Sequence, residues 1–469
     1  MRLHAAASPF DARARARHLA AVLSFLRPKP DAPLLPQAQV DESYRRWRAT
    51  MLLSLTLLYG FYYTCRIGLS VVKKPLIDAG IFNKDELGTI GACLLGAYAI
   101  GKLVNGVLAD RVNPARFLPL GLLLSALANI AMGLNSAFAV ACALWMFNGY
   151  FQGVGAGTSV KSLTQWFSGS ERGRVYGIWS AAHSIGEFFT YVGTSILVGY
   201  TGWRAGFVGP GVACILVAFI AALLLRDRPQ SYGLPEVNAW KGERRMIADD
   251  DHGTSTRMAQ LAVLRMPAVW LCGLASALMY VTRYGVNSWG VLYLQETRGY
   301  SLEQAGGIVG VSAFTGFAGS IAYGFLSDVV FKGRRPPATL VFGVIEVLAL
   351  LVMFYGPSGS TLSTFVLMGA FAVYGFTLSG LLAVLGGLFA VDICSKKAAG
   401  MVMGFIGFVS YVGAVIQEKL SGSLLQKATT TLADGTVHVD FAVPVQIWIG
   451  ASVASIFVAA TLWNVKAKD

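Results

Sequence analysis

The chain has 469 residues, of which 55% are hydrophobic and only 13% charged, and its mean hydropathy is +0.57. A soluble domain carries about 25% charged residues, so a soluble enzyme or soluble binding module is excluded and an integral membrane protein follows. The net charge of +13 reads as membrane topology and affinity for anionic lipid headgroups, with no need of nucleic acid.

A spanning helix needs about 20 mostly apolar residues. Twelve stretches qualify, near 49–72, 88–109, 117–135, 138–160, 175–199, 204–225, 267–294, 304–330, 338–356, 362–389, 398–423 and 442–464. They are continuously apolar and rich in Gly and Ala, as packed membrane helices are, and lack the alternation of barrel strands. The fold class is therefore all-α integral membrane. With both termini on the cytoplasmic side, 28 of the 38 Lys and Arg residues fall on that side, the asymmetry of a correct topology.

Ahead of the first span, RARARHLAAVLSFL from Arg13 joins a basic run to an apolar stretch too short to cross a bilayer. It reads as part of a cytoplasmic, interfacial, partly disordered arm over 1–48, with an organelle transit peptide as the alternative. The first span, within 49–225, then contains YTCRIG, which places Arg66 well inside apolar sequence.

In the second span, Gly96, Gly101 and Lys102 fit G-x-x-x-x-G-K, but Leu103 stands where Ser or Thr is required and no strand precedes the run, so this is not a nucleotide loop. Lys102 reads as a cation facing a cavity or as a structural, snorkelling lysine. The span ends in GVLADRVNPAR, a Gly-x-x-x-Asp with Asp110 and Arg111 before a basic turn.

In the fifth span His183 either hydrogen-bonds or protonates beside an anion, or bonds a neighbouring helix. Glu187, one turn on, either pairs with His183 or carries a coupling proton. Both readings stand. Residues 226–266 form a polar cytoplasmic linker, dividing the chain into six spans and six spans.

The second half, 267–464 with a tail at 465–469, echoes the first. Asp328 in GFLSDVVFKGRR repeats Asp110, and YVTRYG repeats YTCRIG, so that Arg283 stands where Arg66 stands in the other repeat. Two intramembrane arginines, each costing roughly 2.5–3.5 kcal/mol on the insertion scale, are poorly explained by snorkelling. They are expected to face each other near the bilayer midplane, where repeat interfaces carry substrate. Two guanidiniums in a low-dielectric cavity repel, and a phosphate or carboxylate accepts their forked donors. An anion between them follows.

Tyr59, Tyr63, Tyr280 and Tyr411 are cavity-wall hydroxyls or packing aromatics. Glu346, Glu418 and Lys419 read as structural, the last two satisfying each other or neighbouring groups. All six cysteines fall in or beside apolar spans, without metal-ligand spacing. Nothing points to an enzyme, a metal or a cofactor.

On these residues the chain resembles the organophosphate:phosphate antiporter family of the major facilitator superfamily. The resemblance spans nearly the whole length. It rests on YYTCR, GAYAIGKLVNGVLADRVNPARF, NGYFQGVGAG, TQWFSGSERG, AAHSIG, GWRAGF, LRDRPQSYGLP and RYGVNSWGVLYLQET. DAPLLPQAQVDESYRRWR and LRDRPQSYGLPEVNAW are similar to the hexose-phosphate receptor branch, whose members partner a sensor kinase.

The resemblance implies a major facilitator fold of twelve transmembrane helices in two six-helix halves, exchanging a sugar phosphate or another organophosphate for inorganic phosphate by rocker-switch alternating access; a monomer in the inner membrane is expected. It carries Arg66 and Arg283 over as phosphate ligands, with Lys102, His183, Tyr59, Tyr63, Tyr280 and Tyr411 as lining or gating positions. The chain departs from the family pattern at Ile67 and at Asn287 or Ser288, where two charges that pair across the halves are both replaced. Ser180, Ser184 and Glu187 replace two asparagines and a glycine. A receptor that binds sugar phosphate for a kinase partner, and a proton-coupled organic-anion carrier using Glu187, are the rival expectations.

Overall fold

The computed structural model describes residues 24–243, 262, 264–394, 398–431 and 437–463. The basic run from Arg13 to Arg17, most of the polar part of the linker and the tail at 465–469 lie outside the described residues.

In chain order the helices of the first half are α1 (Gln37–Asp78), α2 (Lys84–Ala109), α3 (Pro114–Gly133), α4 (Phe138–Gln152), α5 (Val154–Trp166), α6 (Arg172–Thr201) and α7 (Ala205–Leu224). A short α8 (Val237–Trp240) lies in the linker. The second half contains α9 (Pro267–Arg298), α10 (Leu302–Phe325), α11 (Arg335–Tyr355), α12 (Thr361–Ala383), a one-turn α13 (Phe389–Asp392), α14 (Ala399–Lys427) and α15 (Ala442–Ala460). Among the described residues ten helical segments are long and apolar enough to cross a bilayer. The other two expected spans are the α4–α5 pair, divided at Gly153, and the more polar α6, which carries Arg172, Arg174, His183 and Glu187.

The two halves repeat each other in local chemistry. Helix α2 starts with a capping box in which the Asn83 side chain takes the Glu86 backbone N–H and Glu86 returns the bond. Helix α10 starts with the same device built from Ser301 and Gln304, satisfying donors that a helix start otherwise leaves open. Gly101 and Gly319 are likewise equivalent. A Cβ on Gly101 would sit 2.9 Å from Tyr150 Cα, and one on Gly319 would sit 2.8 Å from Phe376 Cα. Only glycine lets the second helix of each half cross the fourth this closely.

Helix α1 begins well before the expected boundary at residue 49. Its polar first turns are held by aromatic packing: Tyr44 stacks on Trp240 at 4.2 Å and Trp47 meets Tyr232 edge-on at 5.2 Å. The arm is paired where it is described, since Ala32 N–H donates to Gln230 O at 3.0 Å and Leu35 N–H to Gly233 O at 2.8 Å. The linker thus docks on the arm and on α1. Here Glu171 pairs with Arg48 and, at 3.2 Å, with Lys241. Partial burial pushes its carboxyl up, but hydrogen bonds and charge from Arg48 and Lys241 win and hold it down at about 2.

A small antiparallel hairpin, β1 (Thr429–Thr431) and β2 (Val437–Val439), joins α14 to α15 in the register Thr429↔Val439. It was not anticipated, although runs of β-branched residues suit it.

The halves meet through α1 with α9, α2 with α14, and α6 with α10. Contact is tightest at the end away from the chain termini. There, a Cβ on Gly88 would lie 2.9 Å from Gly422 Cα. Among the described residues four ion pairs cross between halves. Lys73–Glu418 at 2.8 Å, Lys74–Glu296 at 2.7 Å and Lys419–Asp85 at 2.7 Å cluster toward that far end, and Arg283–Glu187 lies deeper.

Candidate anion-binding site between the two halves

Helices α1 and α9 bring Arg66 and Arg283 to the wall of one cavity between the halves. Sequence symmetry alone put them at matched depth; the packing of α1 against α9 makes them share the chamber. Tyr63, Glu187, Tyr284, Asn287 and Glu418 are among its other polar lining residues.

Arg66 is buried, at 9% exposure. Its Nε and Nη2 donate to Gln152 Oε1 at 3.2 and 3.1 Å. Gln152 in turn donates to Ser125 Oγ at 2.7 Å, Ser125 bonds Asn148, and Asn148 Nδ2 donates to Cys65 O at 2.9 Å. The guanidinium is sandwiched by Tyr63 and Tyr98, whose ring centroids lie 4.5 and 4.3 Å from Cζ. All these partners are neutral, and among the described residues Arg66 has no carboxylate. A buried cation held only by dipoles and aromatic faces lacks most of the compensation an ion pair supplies, so the site is poised to take an anion.

Arg283 is held differently. Its Nη2 donates to Glu187 Oε1 at 3.0 Å, with side-chain exposures of 11% and 8%. Tyr280 and Tyr284 each lie 5.7 Å away. This corrects the expectation of two unpaired, mutually repelling guanidiniums. It also resolves the pairing of Glu187, whose partner is the opposite half's arginine and not His183. His183 instead places Nδ1 2.6 Å from Ser180 O and its ring 5.6 Å from Tyr63.

A second, smaller chamber adjoins the first and shares Glu187, Arg283 and Asn287 with it. His183 and Ser184 line it from α6, Ser312 from α10 and Ser379 from α12.

The remaining expected positions scatter. Tyr411 closes an aromatic cluster with Tyr98 at 4.7 Å and Tyr280 at 5.3 Å. Tyr59 stacks on Trp179 at 4.4 Å, away from the cavity lining. Lys102 is exposed, with its Nζ 6.0 Å from the Tyr411 ring, and lies outside both chambers. Asp328 pairs with Arg335 at 2.7 Å, fastening a helix end to the basic turn that follows it. Its counterpart Asp110 caps α2, beside Lys161, which donates to the Ala109 and Val112 carbonyls.

Of the two expected ways of satisfying Glu418 and Lys419, the structure shows neighbouring groups and not each other. Consecutive helix residues diverge, so Lys419 reaches Asp85 while Glu418 turns inward to Lys73, Ser288 Oγ at 2.6 Å and Trp289 Nε1 at 3.1 Å. The Lys73–Glu418 pair is fully buried, with exposures of 0% and 2%. A cross-half charge pair is therefore present after all, carried by residues other than Ile67 and Ser288. Lys73 was missed because the expected span stopped one residue short of it. Tyr98, Gln152 and Tyr284 were missed although each lies within a quoted motif; a polar residue inside an apolar span was the available signal.

The Major Facilitator Superfamily profile matches residues 55–417. The membrane sensor protein UhpC of Salmonella typhimurium is 32% identical over 87% of this chain and 91% of its own length. A probable hexose phosphate transport protein of Chlamydia trachomatis is 36% identical over 82% and 87%, and the glycerol-3-phosphate transporter of Bacillus subtilis 32% identical over 84% and 89%. Among solved structures, an inward-facing, unoccupied bacterial homologue of the lysosomal transporter Spinster superposes with a TM-score of 0.68 at 18% identity, over 89% of this chain and 96% of that one; this likeness speaks to the fold alone. The chain belongs to the major facilitator superfamily and, within it, to the organophosphate:phosphate antiporter family, a class of transporters and not of enzymes.

Proposed function

We propose that the protein exchanges an organophosphate, a sugar phosphate in the first instance, for inorganic phosphate across the inner membrane, as a monomer with both termini cytoplasmic. The observation that carries this reading is Arg66: a buried guanidinium with neutral partners, sharing a cavity with Arg283. A phosphoryl group reaching both forks supplies the missing negative charge and draws the halves together. On this orientation the cluster of cross-half ion pairs closes the outer face and the cavity serves the cytoplasm. The bound anion favours passage only through its differential affinity for the two conformations, so neutral analogues do not exchange.

The names of the similar proteins support the same substrate class. The relative named as a membrane sensor favours a second reading, in which the same site binds sugar phosphate and a partner kinase reads the change.

The test is exchange of radiolabelled phosphate in phosphate-loaded proteoliposomes, for wild type, Arg66→Ala and Arg283→Ala. Exchange lost in both variants supports the antiporter. Sugar-phosphate binding without exchange in the wild type would move the assignment to the sensor.

A further inference from the structure

The phosphate-exchange reading leaves the second chamber without a role, and this inference rests on that reading. The chamber continues from the arginine-lined cavity through Glu187, Arg283 and Asn287, which line both. Asn287 Oδ1 is buried and has no hydrogen-bond partner among the described residues, while the Asn287 backbone carbonyl is already taken by Tyr191 Oη at 2.6 Å. Glu187 engages Arg283 through Oε1 only, and a carboxylate accepts about four hydrogen bonds. Several of the serine hydroxyls around them are committed. Ser312 Oγ donates to Val309 O at 2.7 Å, and Ser379 Oγ lies 2.7 Å from Ser320 Oγ. Apart from Arg283, whose guanidinium is the phosphoryl ligand in this reading, the wall between the chambers offers open acceptors, one of them charged.

We propose that the second chamber is the subsite for the organic moiety, and that Glu187 with Asn287 Oδ1 selects organophosphates whose organic part is a neutral polyol or carries an ammonium group. Organophosphates whose organic part carries a carboxylate are rejected there. With the phosphoryl group held at Arg66 and Arg283, the attached carbon chain enters the chamber past Glu187. Hydroxyl or ammonium donors fill the open acceptor sites, whereas a carboxylate meets Glu187 in a desolvated space where like charges repel strongly. Discrimination then comes from a built-in repulsion.

The experiment measures competition against phosphate exchange by glucose 6-phosphate, glucosamine 6-phosphate and 3-phosphoglycerate, using the full chain in proteoliposomes. In wild type, 3-phosphoglycerate is expected to compete about tenfold or more worse than either sugar phosphate; Glu187→Gln brings that ratio to within about threefold, and Asn287→Asp widens it. The same ratio is read from ligand-induced thermal stabilisation of the purified protein, which decides the matter if Glu187→Gln binds but does not exchange. If Glu187→Gln does not fold, Asn287→Asp carries the test. A ratio unchanged in the folded variants overturns the proposal while leaving phosphate exchange standing. A wild type that neither exchanges phosphate nor binds any of the three overturns the transport reading and this inference together.

Discussion

Arg66 and Arg283 occupy equivalent places in two halves of one design, yet their surroundings differ in kind. Arg66 is gripped within its own half by a neutral relay through Gln152, Ser125 and Asn148. Arg283 is neutralised by Glu187 from the other half. Repeat symmetry fixed the height of the cations but not their charge balance. With Glu187 ionised, the two arginines leave the cavity one net positive charge, since the neighbouring Lys73–Glu418 pair cancels itself. One arginine keeps an uncompensated charge, while the other already has a carboxylate partner.

The largest effect expected from breaking this asymmetry is at Arg66. Arg66→Ala should lower phosphate exchange about a hundredfold or more, and Arg66→Lys should not restore it because an ammonium lacks the two-pronged fork. Arg283→Ala should abolish exchange too, but it also strands a buried carboxylate, so the double variant Arg283→Ala/Glu187→Gln should regain phosphate binding relative to the single. Radiolabel exchange in proteoliposomes tests the single variants, and titration calorimetry with inorganic phosphate tests the double variant.

A sharper test copies one site onto the other. Gln152→Glu gives Arg66 the kind of partner Arg283 has, and phosphate binding should weaken about tenfold as the open cation is neutralised in place. If binding is unchanged, the neutral relay is not what keeps Arg66 available.

The Lys73–Glu418 pair gives an intermediate effect. Lys73→Met and Glu418→Gln, made singly, should each destabilise the purified protein by about 3 kcal/mol, because each leaves a buried partner uncompensated; the double variant should recover most of the loss. Thermal melting in detergent measures this, and additive losses would contradict it.

The smallest effect lies where water screens the pair. Glu171 at the helix junction is depressed from its usual 4.5 to about 2, below its unfolded value. Its contribution is therefore present above about pH 4.5 and is lost as the pH falls through about 2. Melting across that window should show a loss of about 1 kcal/mol or less, absent in Glu171→Gln.

The amino-acid sequence by itself determined the membrane class, the order of the apolar spans, the repeat and the place of both arginines within it. Apolar run length and the expense of charge in hydrocarbon are local properties that any reader of the chain can weigh. Only the tertiary structure decided who partners whom. Glu187 and Arg283 are 96 residues apart, and Lys73 and Glu418 are 345 apart, so no periodicity within one helix could join them. The contacts of α6 and α1 with the second half choose these pairs, because a buried charge takes the partner that packing brings within reach.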